Sequence, residues 1–159
     1  MRIQLEKLME QYKDNLYIIA FHITQNQEDA NDAVQDAFVQ YYMSKKQFES
    51  EQHIKAWLIR VTMNKANDKL RSFWRKHVFS LEEYMDSIPF AEPEQRELFA
   101  CVSRLHTKYR VVIQLFYYED YSVKEIAQIL KISESNVKVR LSRGRELLRK
   151  EMKGEWDYE

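Results

Sequence analysis

Glycine and proline are nearly missing, with two of each in 159 residues. A chain so short of turn formers does not build the repeated reversals of a β-sandwich or barrel. An almost wholly helical fold is therefore expected. Cysteine occurs once, as Cys101, which excludes an internal disulfide and a cysteine metal cluster. No apolar signal run opens the chain and none approaches a membrane span, so a cytoplasmic protein is expected. His22, His53, His77 and His106 are scattered, and neither a phosphate loop nor a paired acid–base motif is present. No catalytic residue, no metal and no cofactor is expected on that basis. Excess charge is lacking too, since 25 basic side chains meet 25 acidic ones. Indiscriminate binding to nucleic acid is disfavoured.

What is present is unevenly placed. Residues 1–50 hold five basic and eight acidic side chains, whereas Lys55 to Lys76 hold seven basic ones against Asp68. Ser122 to Gly154 hold nine basic and four acidic, and the tail Glu155–Glu159 is acidic. Two basic blocks separated by neutral or acidic segments predict two contact surfaces. Ten Tyr, eight Phe and three Trp supply large side chains for two small cores.

The stretch from Tyr121 to Lys150 reads as helix, short turn, helix. Ser122 and Glu125 form a capping box, and Val123, Ile126, Ala127 and Leu130 follow at helical spacing. Ser133 caps a second helix, so only Lys131 and Ile132 separate the two. Val137, Leu141, Gly144 and Leu148 share one side of that helix. Ser135, Val139, Ser142 and Glu146 share the other, flanked by Lys138, Arg143, Arg145 and Arg149. A buried seam with a basic outer face is the build of a recognition helix in a DNA major groove. Gly144 lies on the buried side, where close approach of another helix would explain it.

Upstream, residues 3–23 carry a helical apolar pattern with a break expected at Lys13–Asn15. Asn26 with Asp29 starts a second helix whose inward stripe is Ala30, Ala33, Val34, Ala37, Phe38 and Tyr41. Its outer side carries Glu28, Asp32, Gln35 and Asp36, either solubilising charge or a docking face for a basic partner. Lys45–His53 reads as a loop, and a long helix follows from Ile54 to Lys76. Its apolar stripe drifts, so no single buried face can be assigned. Arg60, Asn64, Asn67, Arg71 and Arg75 instead line up, offering charge for phosphates and hydrogen bonds for base edges. Trp57, Phe73 and Trp74 lie close enough in sequence for stacking on unpaired bases. Residues 77–96 hold both prolines, which places a flexible linker at 79–95 between domains 1–78 and 96–154. Helical pattern resumes from Glu97 to Tyr118, with stripes at Leu98, Cys101, Val102, Leu105 and at Val112, Ile113, Leu115, Phe116, Tyr117.

DANDAVQDAF at 29–38, HIKAWLIRVTMNKANDKLR at 53–71, KYRVVIQLFYYEDYSVKEIAQIL at 108–130 and ISESNVKVRLSRGRELL at 132–148 occur in this order. The chain thereby closely resembles bacterial RNA polymerase sigma factors of the extracytoplasmic-function (ECF) type. The resemblance implies an all-α protein of two small helical domains, a region 2 bundle and a region 4 helix-turn-helix. It implies docking on the clamp helices of the polymerase core through Asp32, Gln35 and Asp36. It implies reading and melting of the −10 element of promoter DNA through Phe48, His53, Lys55, Trp57, Arg60, Asn64, Asp68 and Arg71, with one base flipped out near the loop. For the −35 element it implies Lys138, Val139, Ser142 and Arg143 at the bases, with Arg140 and Arg145 nearer phosphate. The second domain would rest on the polymerase flap, an anti-sigma factor is a further implied partner, and the free protein is expected to be a monomer. The chain departs from the family near Thr107, where Pro is frequent, near Asp120, where Gly is, and at Ser135–Asn136, where Gly-Thr is. On the residues alone a stand-alone helix-turn-helix regulator remains the alternative, and the Arg/Asn row is equally compatible with an RNA module.

Overall fold

A computed structural model describes residues 1–73 and 93–155, the side chains of 71–73, 94 and 153–155 excepted. Trp74, Arg75 and the expected linker as far as residue 92 lie outside the described residues. Among those described, all regular structure is helical. The chain divides into two compact units, Met1–Val78 and Phe79–Glu159.

The first unit packs three helices, α1 (Leu5–Thr24), α2 (Gln27–Met43) and α3 (Glu51–Phe73), each against the other two. Helix α1 runs unbroken through Lys13–Asn15, contrary to the expected interruption. Leu8, Tyr12, Leu16 and Ile19 keep one buried stripe across that polar stretch, so packing overrides it. Gln25 in the left-handed region ends α1, its N–H donating to the Phe21 carbonyl at 2.8 Å. Asn26 Oδ1 then accepts from the Asp29 amide at 2.9 Å and starts α2, as expected. The predicted stripe Ala30, Ala33, Val34, Ala37, Phe38 and Tyr41 is buried throughout. Three alanines in it let the neighbouring helices approach closely. Helix α3 begins at Glu51, inside the segment expected to be loop, because Ser50 Oγ accepts from the His53 amide at 3.1 Å. Its drifting apolar stripe has a physical reason. Wedged between α1 and α2, it buries Ile54, Leu58, Ile59, Val61, Met63 and Ala66, a face too wide for one stripe.

The second unit comprises α4 (Pro93–Ser103), α5 (Thr107–Ile113), a π-helical turn (Gln114–Tyr118), α6 (Val123–Leu130) and α7 (Glu134–Glu155). Helix α4 starts inside the expected linker, with Pro93 at its first position, where a missing N–H costs no bond. Val102, Leu105 and Ile113 form a core cluster, joined by Leu98, Tyr109, Leu147 and Leu148. The helical region expected over Glu97–Tyr118 is split at Arg104–His106, where His106 Nδ1 accepts from the Lys108 amide at 3.2 Å. Arg110 holds this corner. It is buried, its Nη1 donates to the Leu105 carbonyl and its Nη2 to Thr107 Oγ1 at 2.8 Å. Burial lowers its guanidinium from the usual arginine range to about 10.

The π-helical turn explains a second difference. Its wider winding carries one extra residue, and Tyr117, expected in the buried stripe, is turned out to solvent. Asp120 follows at φ 60°, a left-handed conformation that aspartate adopts more readily than most non-glycine residues.

Candidate nucleic-acid and protein interface

Helices α6 and α7 are joined as the sequence predicts. Ser122 Oγ accepts from the Glu125 amide at 3.1 Å, and Glu125 Oε1 from the Ser122 amide at 2.9 Å. Lys131 closes α6 in the left-handed region, with the Ile132 amide donating to the Ala127 carbonyl at 3.1 Å. Ser133 Oγ accepts from the Asn136 amide at 3.0 Å and opens α7. Val137, Leu141 and Gly144 are buried and Leu148 is half-buried, so the seam faces inward. A Cβ on Gly144 would lie 3.0 Å from Ile113 Cδ1 and 3.4 Å from Tyr109 Cβ, which accounts for glycine by the close approach of α5.

The outward face of α7 is a shallow, open depression lined by Lys138, Val139, Ser142, Arg143 and Glu146. Val139 is 59% exposed, an apolar side chain left in water among cations. That pairing suits a duplex groove, where cations meet phosphates and a small apolar group meets a thymine methyl. Arg140 is half-buried, its Nε donating to Asn136 Oδ1 at 3.1 Å. Arg145 is engaged as well. Its Nε donates to the Tyr117 hydroxyl and its guanidinium lies 5.7 Å from the Phe116 ring centre. Nothing in the sequence pattern pairs Tyr117 with Arg145, because the π-turn that brings them together leaves no signal in a helical periodicity.

In the first unit, the loop between α2 and α3 is built around Phe48. This residue, expected on the DNA-facing surface, is only 4% exposed. Its ring packs against Tyr41 at 5.8 Å, Trp57 at 5.6 Å and His53 at 5.1 Å. Phe48 is thus an anchor beneath the loop, not part of its outer surface; a large apolar ring in a polar stretch is the signal that points there. Trp57 is half-buried in the same cluster. His53 Nδ1 accepts from the Glu49 amide at 3.1 Å, which ties the loop to the first turn of α3. Lys55 Nζ sits 5.8 Å over the Tyr12 ring. Along α3, Asn64, Asn67 and Asp68 are exposed and Arg60 is half-buried; of Arg71 only the helical backbone is described.

Tyr12 on α1 and Glu51 at the start of α3 join the two helices beside the loop. The Tyr12 hydroxyl donates to Glu51 Oε2 at 2.6 Å, and Gln11 Nε2 donates to the same oxygen at 2.9 Å. The bond from Tyr12 holds the Glu51 carboxyl below its usual range, while burial foremost, and then the bond, raises Tyr12.

On α2, Asp32 and Gln35 are exposed and Asp36 is partly so. The same side continues into Val39, Tyr42 and Met43, which are 58%, 69% and 73% exposed. These three were missed in the sequence. Their signal was phase, since Val39 and Tyr42 follow Gln35 at i+4 and i+7, out of step with the buried stripe. An acidic strip that runs into an exposed apolar one has the composition a protein-docking surface needs.

Comparison with known proteins agrees with this geometry. Residues 8–76 match the family model described as Sigma-70 region 2, and residues 95–148 the one described as Sigma-70, region 4. The chain is 28% identical over 169 residues to the ECF RNA polymerase sigma factor SigW of Bacillus subtilis, covering 92% of this chain and 87% of SigW. It is 29% identical over 140 residues to the RNA polymerase sigma factor SigV of the same organism, covering 87% and 84%. Among solved structures, the sigma factor RpoE in complex with the anti-sigma factor NepR from Bartonella quintana superposes with a TM-score of 0.73 at 21% identity, over 93% of this chain and 96% of that one. CnrH in complex with the cytosolic domain of CnrY gives 0.68 at 24%, over 96% and 89%. At those identities the structures speak for the fold alone.

Proposed function

The chain belongs to the sigma-70 family, as an RNA polymerase sigma factor of the ECF type that directs promoter-specific initiation, and from that premise we propose how its two units divide the work. Residues 1–78 dock on the polymerase clamp through Asp32, Gln35 and Asp36, with Val39, Tyr42 and Met43 extending the contact. The loop over Phe48 and the face of α3 carrying His53, Lys55, Trp57, Arg60, Asn64, Asp68 and Arg71 read and open the −10 element. Residues 96–154 set α7 in the major groove of the −35 element, with Lys138, Val139, Ser142 and Arg143 toward the bases. Arg140 and Arg145 lie nearer phosphate, and the flap of the polymerase supports this unit.

The observation that carries the reading is the two-sidedness of α7. Val137, Leu141 and Gly144 are buried while Val139, Ser142 and Arg143 are free to meet DNA. The family works by binding, without a chemical step of its own. One small helix-turn-helix holds DNA weakly at cellular salt, because phosphate contacts release counterions and fade as salt rises. Holding two such readers on one polymerase makes the second contact intramolecular and multiplies the two affinities. Zero net charge keeps the free, monomeric factor off DNA until the core, in the cytoplasm, collects it. An anti-sigma factor is a further partner on this reading, and it would compete with core for the same faces.

Run-off transcription with purified core polymerase on a promoter library tests the proposal. Initiation restricted to promoters with paired −35 and −10 elements is expected. No RNA from any promoter, or tight specific promoter binding by the chain without core, overturns it.

A further inference from the structure

Arg2 straps the loop between α2 and α3. Its Nη1 donates to the Lys46 carbonyl at 2.9 Å and its Nη2 to the Tyr41 carbonyl at 2.9 Å. The first bond reaches the loop; the second reaches a carbonyl in the last turn of α2. The guanidinium lies 4.2 Å from the Tyr41 ring centre and 5.9 Å from that of Phe48, so it also caps the aromatic cluster under the loop. Its neighbour is fixed equally. The Ile3 amide donates to the Tyr41 hydroxyl at 2.9 Å, and that hydroxyl donates to the Ile3 carbonyl at 2.7 Å. The Phe48 amide donates to the Met1 carbonyl at 3.2 Å.

We infer that Arg2 is a positioning residue for −10 recognition, holding the Ser44–Ser50 loop in the shape that accepts an unstacked base. The inference rests on the proposed −10 role of this loop. Three features support it. The loop's own side-chain bonds are few: the Lys46 amide donates to Ser44 Oγ and the Glu49 amide to His53 Nδ1. The guanidinium fork bridges two carbonyls through separate nitrogens, which the compact, single-nitrogen ammonium of a lysine would not span in the same way. The bonds also give Arg2 a role other than as a free cation, although it lies in a unit proposed to meet DNA. A loop gripped from below by Phe48 and from the side by Arg2 enters the complex already ordered, so base capture loses less entropy.

The test compares Arg2→Met and Arg2→Lys with the unaltered full chain, each bound to core polymerase. Transcription is measured on promoters differing at single −10 positions and, separately, at single −35 positions. Arg2→Met is expected to lower −10 discrimination roughly threefold to tenfold, as loss of two charge-assisted bonds from an exposed side chain allows. Arg2→Lys is expected to restore less than half of it, with −35 discrimination and core affinity unchanged. Unchanged −10 discrimination in Arg2→Met overturns the inference. So does an equal loss on both elements, which marks general destabilisation, and so does a salt slope reduced by about one, which marks a direct phosphate contact. Asn64→Ala and Lys55→Ala provide the control on the underlying reading. If they alter −10 preference and Arg2→Met does not, the strap alone fails; if none of the three does, the −10 assignment fails with it.

Discussion

Lys69 Nζ on α3 lies 3.6 Å from Asp36 Oδ2 on α2. The pair thus places a cation beside one of the three residues proposed to dock on polymerase. Both side chains are partly exposed, so the pair contributes less than about 1 kcal/mol to stability. Its effect on association is larger, because a neighbouring cation cancels part of the field that Asp36 projects toward a basic partner. Asp36→Ala is expected to weaken core binding about tenfold while leaving promoter preference unchanged. Lys69→Met is expected to raise the association rate with core up to about threefold at low salt, fading as salt rises. Surface-immobilised core and stopped-flow at two salt concentrations give both numbers. A slower association in Lys69→Met would mean that Lys69 orients Asp36 instead of masking it.

The bond from Tyr12 to Glu51 gives the first unit an acid limb. The Glu51 carboxyl is held below its usual range in the folded chain, so its contribution is present above its unfolded pKa and is lost as pH falls through the folded one. Unfolding midpoints should therefore decline below about pH 4. Tyr12→Phe removes the principal cause of the shift and should flatten part of that decline, with the two midpoint curves converging in acid. Parallel curves would show that other carboxylates dominate.

How much of this was legible depended on whether a residue's role is set by its own helix or by a neighbour. Ser122–Glu125, Asn26–Asp29 and the alternation of Val137 with Val139 are local, and each was readable. The buried face of α3 was not, because its width comes from having helices on two sides. Phe48 illustrates the middle ground. Its isolation in a polar stretch marked it as special, but only the rings of Tyr41, Trp57 and His53 around it show that it points inward. The π-turn at Gln114–Tyr118 escaped altogether and took Tyr117 with it, since one extra residue in a turn is invisible to a helical period. Val39, Tyr42 and Met43 were overlooked for a different reason. Their phase sets them outside the buried stripe, yet their apolar character taken alone reads as more core.

Gly144 supplies a packing prediction. A methyl group there meets Ile113 Cδ1 at 3.0 Å, the far end of a flexible side chain, and Tyr109 Cβ at 3.4 Å. Alanine gains about 1 kcal/mol of helix propensity and loses a similar amount to the tight contact. Gly144→Ala should therefore be near neutral in thermal unfolding. Gly144→Val adds two further atoms against α5 and should destabilise by about 1–3 kcal/mol. It should also weaken −35 binding in the assembled complex, because α7 carries both the seam and the proposed reading face. A neutral Gly144→Val would mean that α5 and α7 separate easily.

Arg143 and Arg145 lie two residues apart on α7 and are expected to behave differently. Arg143 lines the open depression with Val139 and Ser142. Arg145 is tethered to the Tyr117 hydroxyl and lies 5.6 Å from the Tyr117 ring centre. A guanidinium facing base edges carries sequence preference, whereas one held at the margin carries charge. Arg143→Ala should relax preference at one or two −35 positions by about 1–3 kcal/mol. Arg145→Ala should weaken all −35 sequences alike and lower the salt slope by about one. Tyr117→Phe should give a milder version of the Arg145→Ala phenotype, since the ring stays and only the hydroxyl tether goes. Transcription across a randomised −35 library at two salt concentrations separates these patterns. A shift in base preference with Arg145→Ala but not with Arg143→Ala would reverse the assignment and turn the helix about its axis relative to the groove.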